Sequence, residues 1–183
     1  KGTIIYRGRK TDNILPEPLP FEQITSPSLE YIKGQNRFSC NKVSMFYGAK
    51  DEETAKKEID YQNEPNLYIG RFSLLHKITI LDLSQIKSPK GLFDKDWQGE
   101  YFILKFMNSF LKEIRKPVED QTIDYKPTQS ISDYIRNNEI YGHKVDGIKY
   151  KSSKNGKICY VFFWGAEDSA EHLKLKDYTH SRK

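Results

Sequence analysis

The sequence predicts an α+β domain built on a mostly antiparallel sheet with helices packed beside it. Three observations lead there. Short β-branched and aromatic runs recur along the chain, and two stretches carry the period of amphipathic helices. Polar or Pro/Gly-bearing segments separate them. At 183 residues the chain can bury a sizeable core, so a single domain over 1–183 is the expectation.

The opening Thr3-Ile4-Ile5-Tyr6-Arg7 reads as a strand, and residues 13–27, with four prolines, as a loop. Residues 43–49 form a second strand with Val43, Met45 and Tyr47 on one face and Ser44 and Phe46 on the other. Asp51-Glu52-Glu53-Thr54 opens a helix to about residue 62, with Asp51 as its cap and an acidic first turn that suits the helix dipole. Residues 66–75 and 77–83 read as two more strands. The longest helix is expected over 98–115, burying Ile103, Phe106, Phe110, Leu111 and Ile114, with Pro117 stopping it. A turn at 125–128 leads into a shorter helix over 129–137. Residues 147–152 and 157–164 pair around the turn Ser153-Lys154-Asn155-Gly156, the second of them apolar on both faces and therefore central. The tail from His172 adds an edge strand.

Composition narrows the class. Twelve Tyr, ten Phe and 37% hydrophobic residues are too apolar and aromatic for a disordered chain. No apolar run nears the roughly 18 residues of a membrane-spanning helix. The first residues lack a signal peptide's apolar stretch, and the missing initiator Met suggests a processed, trimmed or excised segment. Cys40 and Cys159 stand far apart and fit neither a disulfide framework nor a metal spacing, which makes the cytoplasm the default location. The net charge of +5 and pI near 9.0 point to a polyanionic ligand, either nucleic acid or a small phosphate-bearing molecule. Dinucleotide-binding, P-loop, zincin and serine-hydrolase motifs are absent from the sequence, and the four His residues lack metal-ligand spacing. No metal is expected.

Three polar residues stand where apolar ones are expected. Arg7 shares a strand face with Ile5, and Ser152 shares one with Tyr150 and Ile148. Glu58 lies at the edge of its helix's apolar stripe. If those faces cover the core, each side chain points inward or into a cleft. Taken singly, each has an ordinary explanation: a salt-bridged strand-end Arg, a solvated helix Glu and a turn-forming Ser. Arg37 pairing with a neighbouring acid and Tyr47 packing in the core are equally ordinary.

Together they form a pattern. The stretch Asn36-Arg37-Phe38-Ser39-Cys40-Asn41-Lys42-Val43-Ser44-Met45-Phe46-Tyr47-Gly48-Ala49, followed by Glu53-Thr54-Ala55-Lys56-Lys57-Glu58, resembles the signature of the RES domain family, named for its Arg, Glu and Ser. Tyr6-Arg7 resembles the family's early strand. Pro127-Thr128-Gln129 with Asp133-Tyr134-Ile135 resembles its late helix. Asp146-Gly147-Ile148-Lys149-Tyr150-Lys151-Ser152-Ser153 resembles the strand that brings the Ser, and Tyr160-Val161-Phe162-Phe163 the closing one. The loop departs from the family in reading Arg-Phe-Ser-Cys-Asn where many members have Arg-aromatic-Asn-Pro. Of the adjacent serines, Ser152, five residues after Gly147, is favoured over Ser153.

The resemblance implies an ADP-ribosyltransferase-like fold and the cleavage of the nicotinamide–ribose bond of NAD by a toxin or defence effector. Inorganic phosphate is the acceptor for some members, with hydrolysis or protein ADP-ribosylation the activity of others. It implies Arg7, Glu58 and Ser152 as catalytic residues and Arg37, Tyr47, Tyr6, Ser153 and Gln129 as NAD-binding residues, without a metal. It also implies an Xre-type antitoxin partner, with exposed aromatics near Tyr61, Tyr68 and Tyr141 as contact points. Nucleic acid would be reached only through that antitoxin. The competing reading is an RNA-binding or RNA-cleaving domain, supported by the basic pI and by Lys149, Lys151, Lys154 and Lys157 on one hairpin. An interaction module that merely keeps the fold is a third reading.

Overall fold

The computed structural model describes residues 2–32, 34–40, 42–59, 65–86, 98–116 and 124–182. In chain order the elements are β1 (Ile4–Thr11), α1 (Phe21–Ile24), β2 (Phe46–Ala49), α2 (Glu52–Ile59), β3 (Asn66–Leu74), β4 (Ile80–Asp82), α3 (Gln98–Arg115), α4 (Lys126–Asn137), β5 (Gly147–Lys151), β6 (Ile158–Phe162), α5 (Ser169–His172) and β7 (Leu173–Arg182). The strands make one sheet in the order β4-β5-β6-β2-β1-β3-β7. Its neighbours are antiparallel except the parallel pair β4–β5. The chain is an α+β fold.

Alternation along the strands divides the core between the two faces of the sheet. On one face Ala49, Leu67, Ile69, Ile148, Tyr150, Cys159 and Val161 pack against Ala55 of α2, Phe110, Leu111 and Ile114 of α3, and Ile135 of α4. On the other, Ile5, Phe46, Tyr68, Phe72, Tyr160 and Phe162 meet Leu15, Leu19 and Ile24 from the proline-bearing segment. That segment is more than a loop, because its Phe21–Ile24 turn buries Ile24. Tyr68 is a core residue and no contact point, its hydroxyl accepting a hydrogen bond from Leu15 N at 2.9 Å. Tyr141 is exposed, and Tyr61 lies outside the described residues.

Other sequence expectations shift for physical reasons. β2 is only Phe46–Ala49, the stretch that pairs with β6, and Val43 and Met45 precede it on the cavity wall described below. α4 begins at Lys126 because Pro127 sits in its first turn, where the missing N–H costs nothing. α3 has the expected bounds, but only its C-terminal half is buried: Ile103 is 46% and Phe106 52% exposed. Helical period fixes which face is apolar, not how much of the helix's length finds a partner. Pro117 lies outside the described residues. No helix among those residues is long and apolar enough to cross a membrane.

At the far end of the sheet His76 Nε2 and His172 Nδ1 share a hydrogen bond at 2.7 Å, and the His172 ring stacks on Trp164 at 4.1 Å. Desolvation, then the neighbouring His76, lowers the His172 pKa; Asp146, Glu171 and Asp168 oppose this. With a folded pKa below that of the free chain, falling pH protonates the unfolded state first. Stability is therefore lost as pH drops below about 6.5. Urea unfolding at about pH 7 and pH 5.5 should show this loss, and His172→Asn should reduce it.

Candidate active site

β1 and β2 share one register pair, Tyr6 with Ala49. Beside it lies a cavity of about 770 Å³. Tyr6, Arg7, Gly8 and Lys10 of β1 form part of its wall, with Tyr47 and Gly48 of β2, Glu58 of α2, and Tyr150 and Cys159 of the hairpin. Arg37, Phe38, Tyr125, Ser153 and Lys154 complete much of the rim. A volume in the range of roughly 300–1,000 Å³ suits a nucleotide-sized ligand.

Arg7 is one of four cationic side chains that line the cavity, with Lys10, Arg37 and Lys154. Its Nη1 donates to the Tyr47 carbonyl at 2.9 Å, so the side chain reaches from one strand to the other. The guanidinium lies 5.1 Å from the Phe46 ring centroid, and its Nε is buried without a hydrogen-bond partner. No carboxylate among the described residues pairs with it. Desolvation brings its pKa down to about 10, with Tyr47 opposing and Arg9 adding to the shift. A half-buried, desolvated cation held by one carbonyl and one ring has unused capacity for an anion.

Glu58 stands on the last turn of α2, half-buried and lining the cavity. Asp51 caps that helix by accepting from Thr54 N at 2.9 Å. Gly8 lets α2 lie against β1, because a Cβ there would collide with Ile59 Cδ1 beside Glu58. Ser152 continues the inward face of β5 after Ile148 and Tyr150, and its hydroxyl donates to Glu58 Oε1. Ser152 is buried and off the cavity wall, so it meets the carboxylate rather than the cavity. Ser153 is exposed at the rim.

The two sequence-named aromatics Tyr6 and Tyr47 both line the cavity. Tyr47 shares a hydrogen bond with Ser39 at 3.2 Å, and burial pushes its pKa up to about 12. Arg37 faces the cavity while capping the C-terminal end of α3: Nη1 donates to Glu113 O at 2.9 Å and Nη2 to Lys116 O at 3.2 Å. Its guanidinium also lies 5.5 Å from the Tyr125 ring centroid. Gln129 is buried and absent from the wall. Its Nε2 donates to Asn36 O at 2.9 Å and Ser39 O at 3.2 Å, pinning the loop that carries Arg37.

Sequence reasoning left Tyr150, Tyr125 and Cys159 without a role and gave Lys154 only to the nucleic-acid reading. Tyr150 could have been found, since it precedes Ser152 by two on one strand face. Tyr125 and Cys159 reach the wall only through tertiary packing. Burial raises the Tyr150 and Cys159 pKa values, keeping the thiol protonated. Both cysteines are free. Among the described residues no group of three or more His, Cys, Asp or Glu could hold a metal ion.

The hairpin lysines, read as a nucleic-acid surface, are mostly engaged within the protein. Lys149 pairs with Asp82 at 2.6 Å and Lys157 with Glu53 at 2.7 Å. Lys154 Nζ donates to Lys57 O at 2.8 Å.

No curated protein matches the chain. The family model of the RES domain matches residues 17–181. Arg7 and Tyr6 precede the matched segment, so their place in the site rests on the geometry above. The RES domain is the toxin domain of Res–Xre systems, and it carries a general NAD-related role. The chain belongs to the RES domain family.

Proposed function

We propose that the chain cleaves the nicotinamide–ribose bond of NAD in the cavity beside β1 and β2. The observation that carries this reading is a pair of opposite charges lining one cavity: Arg7, half-buried without an anionic partner among the described residues, and Glu58, tied by Ser152. NAD offers a pyrophosphate to the first and a ribose to the second.

The chemistry follows from those groups. The bond between ribose C1′ and nicotinamide breaks with both electrons leaving on nicotinamide, which departs neutral. The ribose passes through an oxocarbenium-like state whose positive charge Glu58 stabilises. Ser152 and the Cys159 thiol hold the carboxylate from the protein side, and its remaining acceptor capacity meets a ribose hydroxyl. Arg7 binds the pyrophosphate, and Tyr47 and Tyr150 supply aromatic surface to the rings. Phosphate then attacks C1′ to give a sugar 1-phosphate of ADP-ribose, or water attacks with loss of a proton to give ADP-ribose.

An Xre-type antitoxin is the partner that the Res–Xre association supports. The test is to incubate the chain with NAD in phosphate and in phosphate-free buffer, following nicotinamide by chromatography and the sugar product by mass. Nicotinamide release with ADP-ribose phosphate appearing only in phosphate supports phosphorolysis, and ADP-ribose in both buffers supports hydrolysis. Intact NAD under both conditions would contradict the reading.

A further inference from the structure

We propose that Asn155, acting with Thr54, is a positioning residue for Glu58: the tip of the β5–β6 hairpin sets where the carboxylate stands. This rests on the NAD-cleaving reading for its kinetic consequence, though not for its structural one.

Thr54 and Glu58 are four residues apart on α2 and so share a helix face. Ser152 and Asn155, three apart at the hairpin turn, meet them in reversed order, Asn155 with Thr54 and Ser152 with Glu58. The direction of each hydrogen bond is fixed by its neighbours. Asn155 Oδ1 accepts from Lys157 N at 3.1 Å, which leaves its Nδ2 as donor to Thr54 Oγ1 at 3.0 Å. Thr54 Oγ1 then spends its own proton on the Asp51 carboxylate at 2.9 Å. Ser152 Oγ accepts from Lys154 N at 3.0 Å and from Asn155 N at 3.3 Å, so its single proton is left for Glu58 Oε1.

Thr54 is fully buried, so bulk water does not replace the donor from Asn155. Lys154 Nζ caps the other end of the helix through Lys57 O and Glu58 O. The turn therefore grips α2 at its first turn through Thr54 and at its last through the carbonyls of Lys57 and Glu58. Removing the Asn155 amide leaves the hairpin held to the first turn of α2 by exposed ion pairs of Lys157, weak tethers that let the helix shift relative to Ser152. Displacements near 1 Å in a reacting group cost up to about a hundredfold in rate.

The test compares Asn155→Ala with wild type, with Lys151→Ala on the same hairpin as the control. Nicotinamide release from NAD should show kcat lowered about tenfold or more with KM changed less than about twofold. Thr54→Ser, which keeps the hydroxyl, should retain the rate, and Thr54→Val should reproduce the loss. A crystal structure of Asn155→Ala should show the Glu58 carboxylate displaced from Ser152. Unchanged kcat in a folded Asn155→Ala chain, or Glu58 still on Ser152, would overturn the proposal. If Asn155→Ala does not fold, Thr54→Val decides by the same measures. If wild type releases no nicotinamide, the functional reading fails and the position of Glu58 in the variant crystal alone decides this one.

Discussion

Glu58→Gln should leave the protein folded and lower nicotinamide release from NAD by about a thousandfold, the cost of losing one preorganised charge at a site where charge develops. Glutamine has nearly the same shape, and its Oε1 can still accept the Ser152 proton that Glu58 Oε1 accepts now. Geometry is kept while the negative charge is removed, so the loss should appear in kcat rather than KM. Ser152→Ala makes the complementary change by keeping the charge and releasing its tether, and about a tenfold loss is expected. Steady-state kinetics on the two variants separate charge from position. Equal, small losses in both would mean that Glu58 does not face the reacting sugar.

Arg7→Met should make the protein more stable and less active at once. The guanidinium is desolvated, lacks a carboxylate partner among the described residues and has a buried Nε without an acceptor. Its pKa lies near 10 instead of 12.5, so at neutral pH the folded state holds this proton less tightly than the unfolded chain does. The sign follows: the charge opposes folding at pH 7, and the penalty fades only as pH rises through about 10. Methionine fills similar volume and keeps contact with Phe46, although Tyr47 O loses its donor. The balance is a gain of about 1 kcal/mol, a rise of roughly 2–4 °C in melting temperature. Binding of NAD should weaken by about a hundredfold, as expected when a charged hydrogen-bond donor to a phosphate is lost. Thermal unfolding with and without NAD measures both. A variant that is less stable than wild type would show that Arg7 holds the strands together rather than awaiting an anion.

The sheet was legible because strand patterning is local. Ile5, Phe46 and Phe162 alternate with their neighbours, and the hairpin around Asn155-Gly156 announces itself in four residues. Arg7 and Glu58 could be singled out because each breaks an apolar pattern, and both line the same cavity. What the pattern could not reveal was who touches whom. The sequence marks both Ser152 and Gln129 as site residues. One meets the carboxylate and the other braces a loop, a difference set by contacts some 90 residues apart in the chain. Arg37 likewise faces the cavity with both Nη groups engaged by helix carbonyls, which no local signal could show. The upper half of α3 carries the same apolar period as its lower half and stays exposed, because coverage depends on what the tertiary fold brings to it.

The most direct measurement is a crystal structure of the Glu58→Gln variant with NAD, in which binding can be seen without turnover. NAD should lie in the cavity beside β1 and β2, with a pyrophosphate oxygen within hydrogen-bond reach of the Arg7 guanidinium and the nicotinamide-bearing ribose against residue 58. NAD bound elsewhere, or a cavity left unchanged at saturating NAD, would contradict the account.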